Sequence, residues 1–174
     1  MASSVNNVSV GSASVEVDGI DIGFTNGGVK LNYQPTFVEV RADQAAGVIR
    51  RFKQEERLFV EFEMLEITLE NLASVFGYPD ASLSTYHTYD ALYLGYSAPC
   101  STQEVPMRIL SPGINCASRI WEFPRTISVS EATLNFQRDQ ESRLSAKYEI
   151  LKGTNLRFGV VYDLDGYVET FDGL

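Results

Sequence analysis

A single histidine, two cysteines and one tryptophan leave this 174-residue chain short of the side chains on which most site chemistry is built. His87 has no recognised nucleophile or orienting carboxylate beside it in sequence, so a triad-type hydrolase is not expected. Cys100 and Cys116, with one histidine, cannot complete the usual four-ligand zinc site without carboxylates, and in a cytosolic chain they read as free thiols. Asp163-Leu164-Asp165-Gly166 has the opening rhythm of a calcium loop, but its twelfth position is Leu174 where a glutamate is needed. Neither a cofactor nor a metal is expected. Cations are scarce as well: 14 Lys and Arg stand against 23 Asp and Glu, a formal net charge of −9. Nucleic-acid binding normally rests on clustered Lys and Arg, so this balance argues against it. No apolar run approaches the roughly 20 residues of a membrane span. The opening MASSVNNVSV lacks the basic start and apolar core of a secretory leader, so the expectation is a chain made in a cytosol.

What is present is an ordinary globular composition, 44% hydrophobic and 21% charged, consistent with one domain over 1–174. The stretch 36–77 organises it. Val38 and Val40 alternate with Glu39 and Arg41; Leu58, Val60, Phe62 and Met64 alternate with Glu61 and Glu63. Period-two alternation predicts two strands, each with a buried and a wet face. Between them, 43–56 reads as a long charged loop projecting beyond the sheet, since hairpin turns usually take two to five residues. A helix over 68–76 follows. Thr68 caps it, Glu70 lies in its first turn, and Leu69, Leu72, Ala73 and Phe76 form an apolar stripe before Gly77 and Pro79 end it.

The remaining chain punctuates into short strands. Residues 1–14, rich in Ser and Asn, read as an N-terminal arm. A strand over 15–23 breaks at Asp18-Gly19. A long strand enters through Asn26-Gly27-Gly28, and Pro35 marks it as an edge strand or a bulge. Residues 83–97 hold Tyr86, Tyr89, Tyr93 and Tyr96, and 105–110 reads as a strand. Ala132, Leu134 and Phe136, then Leu144, Ala146, Tyr148 and Ile150, predict an antiparallel hairpin around a polar turn at 138–141. The expected class is mainly β: two packed antiparallel sheets, or a partly open barrel, with one flanking helix.

Two segments carry a family resemblance. DQAAGVIRRFKQEERLFVEFEMLEITLENLASVFG, with Asp43, Gln44, Gly47 and the 68–73 helix start, resembles the central segment of phage major tail tube proteins. FPRTISVSEATLNFQRDQESRLSAKYEILKG, entered at Phe123-Pro124-Arg125, is similar to that family's C-terminal hairpin. With the flanking residues of 36–77 and 123–162 they cover roughly half the chain. Neither is a catalytic motif. The tyrosine-rich 83–97 segment and the acidic tail depart from the pattern.

The resemblance implies a non-enzymatic structural subunit of a virion tail, made in the host bacterial cytoplasm. Hexameric rings would stack into a hollow conduit for genome ejection. The partners implied are further copies of the chain, a tape-measure protein, tail terminator and baseplate proteins and, in a contractile tail, a sheath; DNA passes without specific binding. If both hairpins join one sheet, Glu39, Arg41, Glu61 and Glu63, with Asn135, Gln137, Lys147 and Glu149, would line the lumen, acids outnumbering bases. The loop residues Asp43, Gln44, Gly47, Arg50, Arg51, Lys53, Glu55 and Glu56 would contact the next ring. Two alternatives stay open: a type VI secretion-like tube or baseplate hub subunit, and a ligand-binding β-sandwich with the tyrosine-rich segment lining its pocket.

Overall fold

The computed structural model describes residues 12–41, 47–78, 83–86, 88–94, 103–112, 118–131, 134 and 142–164. Ten strands and one helix follow in the order β1 (Ser14–Val17), β2 (Ile20–Asp21), β3 (Thr25–Arg41), β4 (Val48–Met64), α1 (Leu69–Val75), β5 (Leu83–Tyr86), β6 (Tyr89–Leu92), β7 (Val105–Pro112), β8 (Ser118–Ser128), β9 (Leu144–Ile150) and β10 (Val160–Leu164). The class is mainly β, as the alternation indicated. Eight strands form one antiparallel sheet in the order β2-β1-β7-β8-β9-β4-β3, with β10 also on β8, and β5-β6 form a separate hairpin. The larger sheet is not a closed barrel.

Its curvature follows from one short connection. β2 and β3 lie at opposite ends of the strand order, yet only Ile22, Gly23 and Phe24 join them. Laid flat, six inter-strand gaps of about 4.8 Å would separate those strands by about 29 Å. The chain from Asp21 to Thr25 spans at most about 14 Å. The sheet therefore curls until its two edges approach. Inside the curl Val15, Val17, Met107, Ile109, Phe123, Leu144, Ala146, Tyr148 and Ile150 meet Leu58, Val60, Phe62 and Met64 in one buried core.

Local chemistry sets the details. Asp18 and Gly19 both have positive φ (54° and 78°), the geometry of a tight I′ turn between β1 and β2. At Gly23 (φ 75°) a Cβ would fall 2.4–2.6 Å from the Glu66 carboxylate, which accepts the Phe24 amide at 3.2 Å; only glycine fits. The N-cap is as read: the Asn71 amide donates to Thr68 Oγ1 at 3.1 Å. The buried face of α1 differs from the expected stripe. It is Asn71, Ala73 and Val75, with Leu69, Leu72 and Phe76 only half-buried. Asn71 is inside because its side-chain amide donates to the carbonyls of Ile22 (3.1 Å) and Glu66 (2.9 Å), fastening the helix to the short connection. An apolar-periodicity argument cannot see that.

The N-terminal reading is shortened at its inner end. Ala13 packs against the core and Ser14 pairs with Leu110 in β1. Residues 1–11, Cys100, Cys116, His87 and the acidic 165–174 tail lie outside the described residues. Pro35 sits on β3, which is an edge strand, as its missing N–H required.

Tyr148 ties sheet to helix: its ring stacks on Phe62 at 5.9 Å and its hydroxyl meets Ser74 Oγ at 2.6 Å. Burial pushes the phenol up to about 12, with the Ser74 bond opposing in part. A folded-state value above the unfolded one means the contribution is full below about pH 10 and is lost as pH rises toward 12. Tyr148→Phe should cost about 1 kcal/mol at neutral pH through the lost hydrogen bond. The gap between wild-type and variant urea midpoints should then narrow above pH 10.

Candidate functional site: the outer face and a protruding ribbon

Two features stand apart from the core. One is the outer face of β4 and β9, away from the curl. Strand pairing sets Glu61 opposite Lys147, Glu63 opposite Ser145 and Phe59 opposite Glu149. Lys30 lies opposite Glu61 on the other side. Lys147 Nζ is 2.8 Å from Glu61 and 4.8 Å above the Phe59 ring, while Glu63 has Arg143 at 3.6 Å and accepts from Asn26 at 3.2 Å. With Ser130 and Glu131 on one side and the Gly27-Gly28 bulge on the other, these residues bound an open trough of about 780 Å³. The same outer face carries a second charge ladder, Glu16–Arg108–Glu122, with Tyr162 donating to Glu122 at 2.8 Å.

The second feature is a β-ribbon. β9 pairs with β4 over Leu58–Met64, so from Arg57 to Val48 β4 has β3 alone as partner among the described residues. Eight residues of β3, Gln34 to Arg41, pair along that length and carry it about 27 Å beyond the body. Phe37, Val38, Val40, Val48, Ile49 and Phe52 are each more than a third exposed on it. Arg50 stacks 4.6 Å over Phe52, and Glu39 holds both Arg41 (2.9 Å) and Arg51 (2.6 Å), which keep its carboxyl below the usual range.

The ribbon corrects two expectations. Residues 48–56 are strand, not loop: Arg50, Arg51, Lys53, Glu55 and Glu56 belong to β4, and Gly47 (φ 135°) sits at its entry. Asp43 and Gln44 lie outside the described residues. β4 carries an extra residue at Gln54 and another at Ile49, where the pairing register shifts. Each bulge flips the side-chain parity, so alternation is lost to the eye although pairing continues. The second correction concerns faces. Counting in register from Lys30, Val38 and Val40 fall on the Glu61 side of β3, and Glu39 and Arg41 on the opposite side. Glu39 and Arg41 therefore do not share a face with Glu61, Glu63, Lys147 and Glu149.

Those four do come together, as read. Asn135 and Gln137 lie outside the described residues. Around the trough four carboxylates (Glu61, Glu63, Glu131, Glu149) meet three cations (Lys30, Arg57, Lys147), so the face is nearly balanced. Phe59 was missed because it sits in a Leu58-Phe59-Val60 run that reads as core. It is buried on the wet side under Lys147. β8 reaches β9 through Thr126, Ile127 and Ser128; of the expected strand at 132–136, all but Leu134 lies outside the described residues.

No protein-family model and no curated protein matches the chain. Among the described residues no group of His, Cys, Asp and Glu is placed to hold a metal ion, and no helix is long and apolar enough to cross a membrane. None of the described residues of the tyrosine-rich segment lines the trough; Tyr89, Tyr93 and Leu94 are exposed.

At the root of the ribbon Glu56 collects Lys152, Lys53 and the Tyr33 hydroxyl, which together pull its carboxyl down to about 2. A depressed folded-state value contributes stability above the unfolded 4.5 and loses it as pH falls through about 2. The difference in unfolding midpoint between wild type and Glu56→Gln should hold steady from neutral pH to about 4.5 and then vanish toward pH 2. A gap independent of pH would mean the carboxylate charge contributes nothing.

Proposed function

We infer that the chain is a self-assembling structural subunit of the tail-tube kind, whose copies join through the ribbon. The observation that carries this reading is the combination of a long β3 edge that pairs with no other described strand and six exposed apolar side chains on an element that leaves the body. An open, apolar edge is a template for pairing with another chain, and soluble monomers normally blunt such edges. Fully burying one such side chain contributes about 1.5–3 kcal/mol. These six are already about half covered, so covering the rest would contribute on the order of 5–9 kcal/mol, comparable with the lower part of the roughly 4–15 kcal/mol that association costs. The sequence resemblance supplies the rest of the proposal: hexameric rings, stacking into a tube, and a tape-measure protein inside during assembly. The trough face would then be the wall past which DNA moves, its carboxylates paired with lysine and arginine so that phosphates find few free cations.

Negative-stain electron microscopy of the purified protein is the direct test. Rings or hollow tubes are expected, and a persistent monomer at high concentration would refute the reading. The wall assignment has its own test. Glu61→Lys would crowd Lys30 and Lys147, so neutral replacements are preferable. With Glu61, Glu63 and Glu149 changed to Gln, three cations would face one remaining carboxylate. Assembled tubes of that variant should retain DNA at low salt and release it at high salt, as counterion release requires. Equal DNA passage by wild type and variant would mean the trough does not face the lumen.

A further inference from the structure

The ribbon leaves the body at the point where β9 stops, and a two-stranded ribbon is marginal in water and free to twist at its root. A continuous polar chain meets it there. Glu104 takes Arg125 in a two-pronged pair, Nε at 2.6 Å and Nη2 at 2.8 Å. Arg125 Nη1 donates to the Lys152 carbonyl at 2.8 Å, and the Leu151 amide donates to the Arg125 carbonyl at 2.9 Å. Lys152, so fixed in the β9–β10 connection, lays its side chain over the Phe158 ring at 5.3 Å and places Nζ 2.6 Å from Glu56 Oε1. The other oxygen, Glu56 Oε2, accepts from Tyr33 Oη at 2.8 Å and from Lys53 Nζ. Tyr33, Lys53 and Glu56 belong to the ribbon or its root; Lys152 and Arg125 belong to the body.

We propose that Lys152 is a positioning residue for assembly: its ion pair with Glu56 is a strut that sets the direction in which the ribbon leaves the body. The ribbon's own pairs, Glu39 with Arg51 and Arg57 with Glu55, link residues within it and leave its angle undetermined. A strut from a second element to one carboxylate, whose other oxygen is held by Lys53 on the ribbon and Tyr33 at its root, removes that freedom. Lys152 and Glu56 are partly covered, with side chains 37% and 17% exposed. For a head-to-tail assembly the direction matters, because a small angular error at the root is multiplied along the ribbon.

The assembly half of this inference rests on the reading given under Proposed function; the orientation half does not, and the experiment separates them. Amide residual dipolar couplings of the dispersed wild-type protein should fit one alignment for the body and for ribbon residues 34–41 and 50–57. In Lys152→Ala the ribbon couplings should shrink by about half while the body couplings persist. Lys152→Arg should restore them, and Glu56→Gln should resemble Lys152→Ala. Unchanged ribbon couplings in Lys152→Ala would overturn the strut. In electron micrographs Lys152→Ala should give fewer and shorter tubes than wild type, with Lys152→Arg near wild type. A loosened ribbon with normal tubes would overturn the role in assembly. A wild type that forms no tubes would refute the tube reading, with the couplings still deciding the strut.

Discussion

Ile22, Gly23 and Phe24 have to bridge the two ends of a seven-strand path, and so short a chain sets the curvature of the whole sheet. Because the edges are drawn together, side chains from β1, β7, β9 and β4 face one another across a single core, and among the described residues no second sheet of comparable size covers them. The connection is in turn held by groups that would otherwise be unpaired. The Phe24 carbonyl accepts from Leu65, the Phe24 amide is capped by Glu66, and the Ile22 carbonyl takes the Asn71 amide. Helix α1 acts here less as a lid on strands than as a clamp on the seam. A helix of seven residues contributes little stability of its own; its position depends on Asn71, Val75 and the Ser74–Tyr148 contact.

The same long strands serve two environments. Over Leu58–Met64, β4 is buried on its inner face and paired on both edges. Over Val48–Arg57 it is exposed on both faces and paired on one edge. Nothing in local propensity distinguishes the halves, since both are rich in β-branched and aromatic residues among charges. What distinguishes them is whether β9 is alongside. The outer end leaves six apolar side chains exposed, with arginines stacked or paired beside them.

Much of this was legible. Leu58, Val60, Phe62 and Met64, and then Leu144, Ala146, Tyr148 and Ile150, announce their inward faces by simple alternation. The Thr68 cap and the Asp18-Gly19 turn announce themselves by residue type. The ribbon was hidden for a physical reason: two bulges on β4 break the period-two signal, so a charged strand looked like a charged loop. The misassigned Glu39 and Arg41 face has the same root. Polarity alone chose their side, while the register with β4, which sequence does not display, decides it. Asn71 was illegible because a buried amide is chosen by two carbonyls far away in sequence or in turn geometry. The trough was half legible: Glu61, Glu63, Lys147 and Glu149 were placed together, but Phe59 beneath them and Lys30 beside them were not.

The order in which the chain is made gives the ribbon a temporal meaning. β3 and β4 follow one another in the chain, with only residues 42–47 between them, so they can pair as soon as residue 64 has been synthesised. The inner edge of β4 must wait for β9 at residues 144–150, and β1 must wait for β7 at residues 105–112. Contacts of such long range close slowly. For that interval the nascent chain displays a paired ribbon with exposed apolar side chains attached to an unfinished body, on polysomes where identical chains stand close together. The charges laced through the ribbon therefore act as kinetic protection as well as surface chemistry. A variant that made the ribbon stickier would fail first in the speed at which it aggregates during synthesis, before any loss of equilibrium stability could be measured.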